Sequence, residues 1–324
     1  MGNGPRHGMI DFWVVLSAVM PVYSLMGVGV WLRRAEWLTH EADDSLVRVV
    51  VNVLTPCLIV DNVLGNPALR HASNLVLPPL FGFGGILLGI GAAWVLRRHS
   101  GAEGEKAQRT FALAAGFQNY GYAALPLVIM LFPPATTGVL FLHNVGVDVA
   151  LWTVGLVTLG HAGIRDWRRL VNAPLVAVLV AVPLNLADAR LPGFLQTSNH
   201  ALAQCCFPLA LVLSGAMLAE SLPELHGGGG WRVMAMSCVA RCGLAPLLLL
   251  AAARWLPASL PLRQVLVIEA SMPAAIIPII LARRYGGHPL TAVRVVAATS
   301  ALGFATIPAW IRFGFWFVGL PTGK

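Results

Sequence analysis

The sequence predicts an all-α integral membrane protein of ten transmembrane helices, arranged as two inverted five-helix repeats with helices four and nine interrupted. Two observations carry this. Pro56 in Val53-Leu54-Thr55-Pro56-Cys57-Leu58 recurs 152 positions later as Pro208 in Cys206-Phe207-Pro208-Leu209, Pro126 recurs at the same offset as Pro278, and Pro21 and Pro174 agree within one residue. Each proline lies inside an apolar stretch long enough to cross a bilayer, so the repeating unit is a bundle of membrane helices, and paired interrupted helices point to a substrate site at the membrane midplane. Independently, the 324 residues are 57% hydrophobic and 11% charged, with a mean hydropathy of +0.74. A soluble domain of that length leaves too much surface in water to hide such a composition.

The first span, about 10–32, follows Arg6 and ends at Arg33-Arg34. It runs too long for a signal peptide and lacks a small-residue cleavage site, so it reads as a retained helix. The second, about 46–65, carries Pro56, and the third, about 74–96, contains Gly82-Phe83-Gly84-Gly85. That glycine spacing suits close helix contact and has no strand and loop around it to make a nucleotide site. Spans four to seven follow at about 110–132, 137–160, 171–189 and 201–220, and spans eight to ten at about 232–255, 263–283 and 290–317. Each is near the ~20 residues that cross the hydrocarbon. Five spans per half invert the second copy, which gives a first repeat over 1–160, a short cytoplasmic linker over 161–170 and a second repeat over 171–324. Gly227 to Gly230 read as a flexible connector. Cys57, Cys205, Cys206, Cys238 and Cys242 all fall in or beside apolar segments and read as free thiols.

Loop charge sets the orientation. Loops after odd-numbered spans hold twelve Lys and Arg, from Arg33 and Arg34 to Arg283 and Arg284, against six on the other side. The positive-inside rule then places both termini on the non-cytoplasmic side of the cell membrane. The net charge of +8 sits in short clusters between apolar spans rather than along one face, which argues against a nucleic-acid partner. Tryptophans such as Trp13, Trp37, Trp231, Trp255, Trp310 and Trp316 lie near span ends, as an interfacial belt requires.

The fourth span reads Gly116-Phe117-Gln118-Asn119-Tyr120-Gly121-Tyr122-Ala123-Ala124-Leu125-Pro126. Pro126 lacks a backbone donor and presses on the carbonyl of Tyr122, so the break is expected around Gly121 and Tyr122, with Asn119 beside it. Ser271-Met272-Pro273 and Pro278 repeat the pattern in span nine. The alternative is a kinked packing helix, which the combination of Gln-Asn, Gly and Pro disfavours. Asn119, Gly121, Tyr122 and Leu125-Pro126-Leu127, with Asn52 to Pro56, Met272-Pro273 and Leu281-Ala282-Arg283-Arg284-Tyr285-Gly286, resemble the auxin efflux carrier family of permeases over essentially the whole chain. Tyr120 stands where that family usually has threonine, and Ile277 where many relatives have asparagine. The resemblance implies that the broken helices cross, that a bundle moves against a scaffold to give alternating access, and that an anion is held at the crossover.

Ionisable residues within spans are costly in lipid unless they face a cavity or a partner. Asp148 shares a polar face with Asn144 one turn away and with His143, which makes these three candidates for proton or cation coupling. Arg241, mid-span, offers a fork matched to a carboxylate, or it ties helices together by capping carbonyls or neutralising Asp148 or Glu269. Glu269 and Asp61 lie nearer span ends, where snorkelling to water is the ordinary reading; Glu269 is also a coupling candidate. The expected substrate contacts are Asn119, Tyr120, Gly121, Tyr122, Pro126, Ser271, Met272, Pro273 and Arg241. The expected partners are a small organic anion, a proton or cation, membrane lipid and, as an assembly, a homodimer. No cofactor or metal is expected. A membrane-embedded enzyme would need a nucleophile with a base, which His143 and Asp148 alone do not supply, and a receptor built on a transporter fold is the other alternative.

Overall fold

A computed structural model describes residues 10–161, 171–223 and 230–321. The linker 162–170 and Gly227 to Gly229 lie outside these residues. Every long element is a helix. In chain order they are α1 (Phe12–Arg34), α2 (His40–Val63), α3 (Ser73–Leu96), α4 (Gly104–Gly116), α5 (Ala124–Leu131), α6 (Pro134–Thr158), α7 (Ala173–Leu186), α8 (Gly193–Ser221), α9 (Trp231–Trp255), α10 (Leu260–Ser271), α11 (Ile277–Arg284) and α12 (Pro289–Val318). Among the described residues, seven helices are long and apolar enough to cross a membrane: α1, α2, α3, α6, α8, α9 and α12. The remaining expected spans are not long rods. The sixth is the short α7, and the fourth and ninth are each two half-helices.

Local chemistry starts and stops these elements. The Asp11 side chain accepts from the Trp13 amide at 3.0 Å to cap α1, whose last turn carries Arg33 and Arg34 against the negative end of the helix dipole. Asn172 caps α7 by accepting from the Leu175 amide at 2.8 Å, with Pro174 in the first turn where no donor is needed. In α2 and α9 a widened turn, Val50–Leu54 and Val239–Leu244, precedes Pro56 and Pro246. A proline ring crowds the carbonyl four residues back, and the wider turn relieves that crowding. In α9 the crowded carbonyl belongs to Cys242, and the Trp310 indole donates to it at 2.6 Å. Trp310 is thus a partner of α9 as well as a residue near a span end. Pro208, by contrast, sits inside the unbroken α8.

Small residues bring the rods together. A Cβ on Gly82 would lie 2.1 Å from the His143 carbonyl oxygen, and one on Gly146 would lie 1.8 Å from that of Pro79, so α3 and α6 pack backbone to backbone. The same exchange joins α1 and α8 through Gly29 and Gly215. Outward faces remain apolar and exposed, as at Trp13, Leu80, Val95 and Trp255, which suits contact with lipid.

Candidate functional site

The site is built where the two interrupted segments meet. Helix α4 stops at Gly116 and Phe117 turns extended; α10 stops at Ser271 because Met272 precedes Pro273, and a residue before proline is driven out of the helical region. The extended tips run antiparallel, bridged at Gln118 and Ala274. The Asn119 amide donates to the Pro273 carbonyl at 2.8 Å, and the Ala275 amide to that of Phe117 at 3.1 Å. Thr299 from α12 accepts from the Ala274 amide at 3.2 Å. The second halves then start with Pro126 and Pro278 in their first turns.

This geometry corrects the expected cause of the break. The Gly121 carbonyl accepts from the Leu125 amide at 3.1 Å, so it is not a freed group. The chain leaves the helix five residues earlier than Gly121, after Gly116, and Pro126 opens the following helix rather than breaking it. A missing donor at a first-turn position costs nothing.

A cavity of about 450 Å³ lies against one face of this junction. Asn119, Tyr120, Gly121 and Tyr122 from the tip line it, with Asn144, Asp148 and Trp152 from α6, Thr55 from α2, Asn172, and Cys206 and Ser214 from α8. The rest of its wall is apolar, including Val50, Leu58, Phe141, Leu151 and Ile277. Among the described residues, Asp148 is the charged residue of the lining. Its carboxyl accepts from the Tyr120 hydroxyl at 2.5 Å and from the Asn172 side chain. Asn144 donates to the Tyr120 carbonyl at 3.3 Å, and His143 Nδ1 lies 3.4 Å from the Asn144 side-chain oxygen. One connected network therefore fixes the tip to α6.

The other candidates sit elsewhere. Arg241, Glu269 and Gln118 are fully buried on the opposite side of the junction. Arg241 donates to the Gln118 side chain at 3.5 Å and to the Ala270 carbonyl at 3.4 Å, and its charge faces Glu269. The two Glu269 oxygens make no hydrogen bond of ordinary geometry. Glu269 is thus buried beside an opposite charge, and the snorkelling reading fails because α10 ends inside the protein rather than at an interface. Asp61 instead pairs with exposed His200, 3.1 Å away. Pro126, Ser271, Met272 and Pro273 are buried parts of the junction and do not line the cavity. Ser271 spends its hydroxyl on the Ile268 carbonyl at 2.6 Å. Among the described residues, the metal-capable group is His40, Asp43 and Glu220, far along α2 and α8 from the junction; there Arg33 already pairs with Asp43 at 2.5 Å and with Glu220 at 3.9 Å.

Sequence reasoning passed over Asn172, Thr55 and Trp152, and it assigned no role to Gln118. Asn172-Ala-Pro174 reads as a helix start, and nothing in it marks the second contact, to Asp148.

The model of the membrane transport protein family matches residues 14–165 and 162–311. The chain belongs to this family, that of the auxin efflux carriers. A curated relative, described as an uncharacterized transporter of Methanothermobacter thermautotrophicus (strain Delta H), is 28% identical over 308 residues, 91% of this chain and 96% of the relative. Membership makes the chain a multi-pass membrane transporter of a small molecule and not an enzyme.

Proposed function

We propose that this auxin efflux carrier relative is a secondary transporter that carries a small organic anion, a monocarboxylate or dicarboxylate, across the cell membrane by alternating access. One observation carries the reading: the tips of two interrupted helices are hydrogen-bonded to each other, and one of them, Asn119 to Tyr122, forms a wall of the 450 Å³ cavity. Broken helices that line a cavity are where transporters hold substrate, because their backbone groups are free of the helix ladder. In this reading α4 with α5, and α10 with α11, are the fourth and ninth of ten spans. Residues 1–160 and 171–324 are the inverted repeats, 161–170 is the cytoplasmic linker, and both termini lie on the non-cytoplasmic side.

Asn119, Tyr120 and Tyr122 contact the carried solute, and Gly121 keeps the tip open to it. Arg241, Glu269 and Gln118, behind the junction, hold its rear, while Pro126, Ser271, Met272 and Pro273 set the shape of the tips. Asp148 is the coupling group, with Asn144 and His143 orienting its partner Tyr120. A carboxylate that enters beside an ionised Asp148 is repelled at low dielectric, so its binding requires a proton on that acid.

The same acid favours a second reading, a small organic cation, since among the described residues Asp148 is the charged group of the lining. Uptake of radiolabelled carboxylates and alkylammonium ions into proteoliposomes, with and without an imposed proton gradient, separates the two. Gradient-stimulated uptake of a carboxylate supports the anion reading, and uptake of the ammonium ions alone sinks it.

A further inference from the structure

A second cavity of about 130 Å³ lies beyond the central one, and four helices line both. On α2 the lining passes from Leu58 to Asp61 and Asn62, on α5 from Leu125 to Ile129, on α6 from Phe141 back to Thr137, and on α8 from Cys206 back to Ala203. Each step is three or four residues, so on every helix the two cavities are one turn apart, about 5 Å of rise. Leu58 belongs to both linings.

The cavities point to opposite ends of the bundle. The central one reaches Val47 near the start of α2, Asn172 ahead of α7 and Met217 near the end of α8. The small one reaches Asn62 near the end of α2, Pro134 at the start of α6 and Gln204 in the first half of α8. Between them stand Leu58, Leu125, Phe141 and Cys206, all buried. On the far side Asn66, just after α2, holds α6 by donating to the Ala135 carbonyl at 3.3 Å.

The geometry points to one interrupted path: the small cavity is the opposite vestibule for the solute of the central cavity, and a single layer of side chains centred on Leu58 is the barrier between them. This rests on the transporter reading, since two blind cavities need no barrier. Exchange of access then requires that one apolar layer to part, and Asp61, Asn62, Thr137 and Gln204 line the cavity beyond it. An apolar layer one turn thick excludes water and charged solutes by dewetting, as hydrophobic constrictions do in pores.

Cys206 lies in the layer and serves as the reporter. In the full chain with Cys57, Cys205, Cys238 and Cys242 replaced by alanine, a membrane-impermeant methanethiosulfonate reagent is applied to right-side-out and to inside-out vesicles. Gln204→Cys, with Cys206 also replaced by alanine, is expected to react from the vestibule side. Cys206 is expected to resist reagent from that side until Leu58→Ala thins the layer, when its rate rises by roughly ten-fold or more, because truncation of a packed leucine leaves a gap in the layer. The proposal is overturned if the vestibule-side rate at Cys206 is unchanged by Leu58→Ala, or if Gln204→Cys reacts only from the side on which α2 begins. Should Leu58→Ala fail to fold, Leu58→Val carries the rate comparison. The labelling pattern expected here, in protein that takes up no solute, would count against the carrier reading and leave the path standing.

Discussion

In the proposed transporter Asn119 contacts the solute and Asp148 is the coupling group. The Asn119 backbone holds the junction through the Pro273 carbonyl, which leaves its side chain for the cavity. Asn119→Ala is expected to abolish uptake while shifting the melting temperature little, so uptake and melting are measured together; retained uptake at normal expression removes Asn119 from the site. Asp148 is half-buried and accepts from Tyr120 and Asn172, so losing its charge leaves both donors a carbonyl oxygen to bond in Asp148→Asn. That variant is expected to bind substrate and to lose the pH dependence of transport, whereas an unchanged pH profile with a lowered melting temperature makes Asp148 structural. Arg241 differs from both because it faces Glu269 out of contact with water. Truncation removes the buried donor of the Gln118 side chain and the Ala270 carbonyl, and Arg241→Ala is expected to destabilise the protein by ~1–3 kcal/mol for each acceptor left unsatisfied. A thermal melt that moves by less than a degree contradicts this. Sequence alone marked Asn119, Asp148 and Arg241, because polar residues stand out in apolar spans. It could not say that Asp148 faces the cavity while Arg241 faces away from it, since that depends on where each helix turns relative to the junction.

At the scale of elements, the interruption is the feature the sequence announced most clearly: the chain is out of the helix at Gly121 and Tyr122 and at Met272 and Pro273 as expected, but the cause differs. Pro126 and Pro278 mark the right segments, yet both begin helices, and the extended residues come before them. What ends α10 is Pro273, acting on Met272. Pro273→Ala is therefore expected to let α10 run on and to break the pairing of the tips, with loss of uptake that exceeds any loss of stability; wild-type uptake in this variant contradicts the account. Helix contacts follow glycine spacing more directly. With the Pro79 carbonyl oxygen 1.8 Å from a Cβ at position 146, Gly146→Val must separate α3 from α6. Its expected cost lies at the upper end of the ~1–3 kcal/mol usual for overpacking, read as a fall in melting temperature of several degrees. Gly84, where a Cβ meets nothing within 4 Å, provides the control: Gly84→Ala is expected to melt as the wild type does.

The whole molecule is a membrane bundle whose candidate site lies at one junction, with two cavities beside it. Composition and span length gave the membrane class from general physical grounds, and seven of the expected spans are long rods among the described residues. The short α7 and the paired half-helices escape any criterion of length, which is why counting hydrophobic windows and tracing helices differ for this chain. The proposed inverted repeats of five spans would place both termini on one side of the membrane, which tags on each end and proteolysis of sealed vesicles test. The proposed function places the solute in the cavity beside the paired tips. Ser214, a half-buried serine of its wall, tests it most directly. In a single-cysteine Ser214→Cys protein that retains uptake, alkylation by an impermeant thiol reagent is expected to slow as the transported solute is raised to saturation, and to be indifferent to a solute that is not carried. An alkylation rate unmoved by a saturating, transported solute rules that placement out.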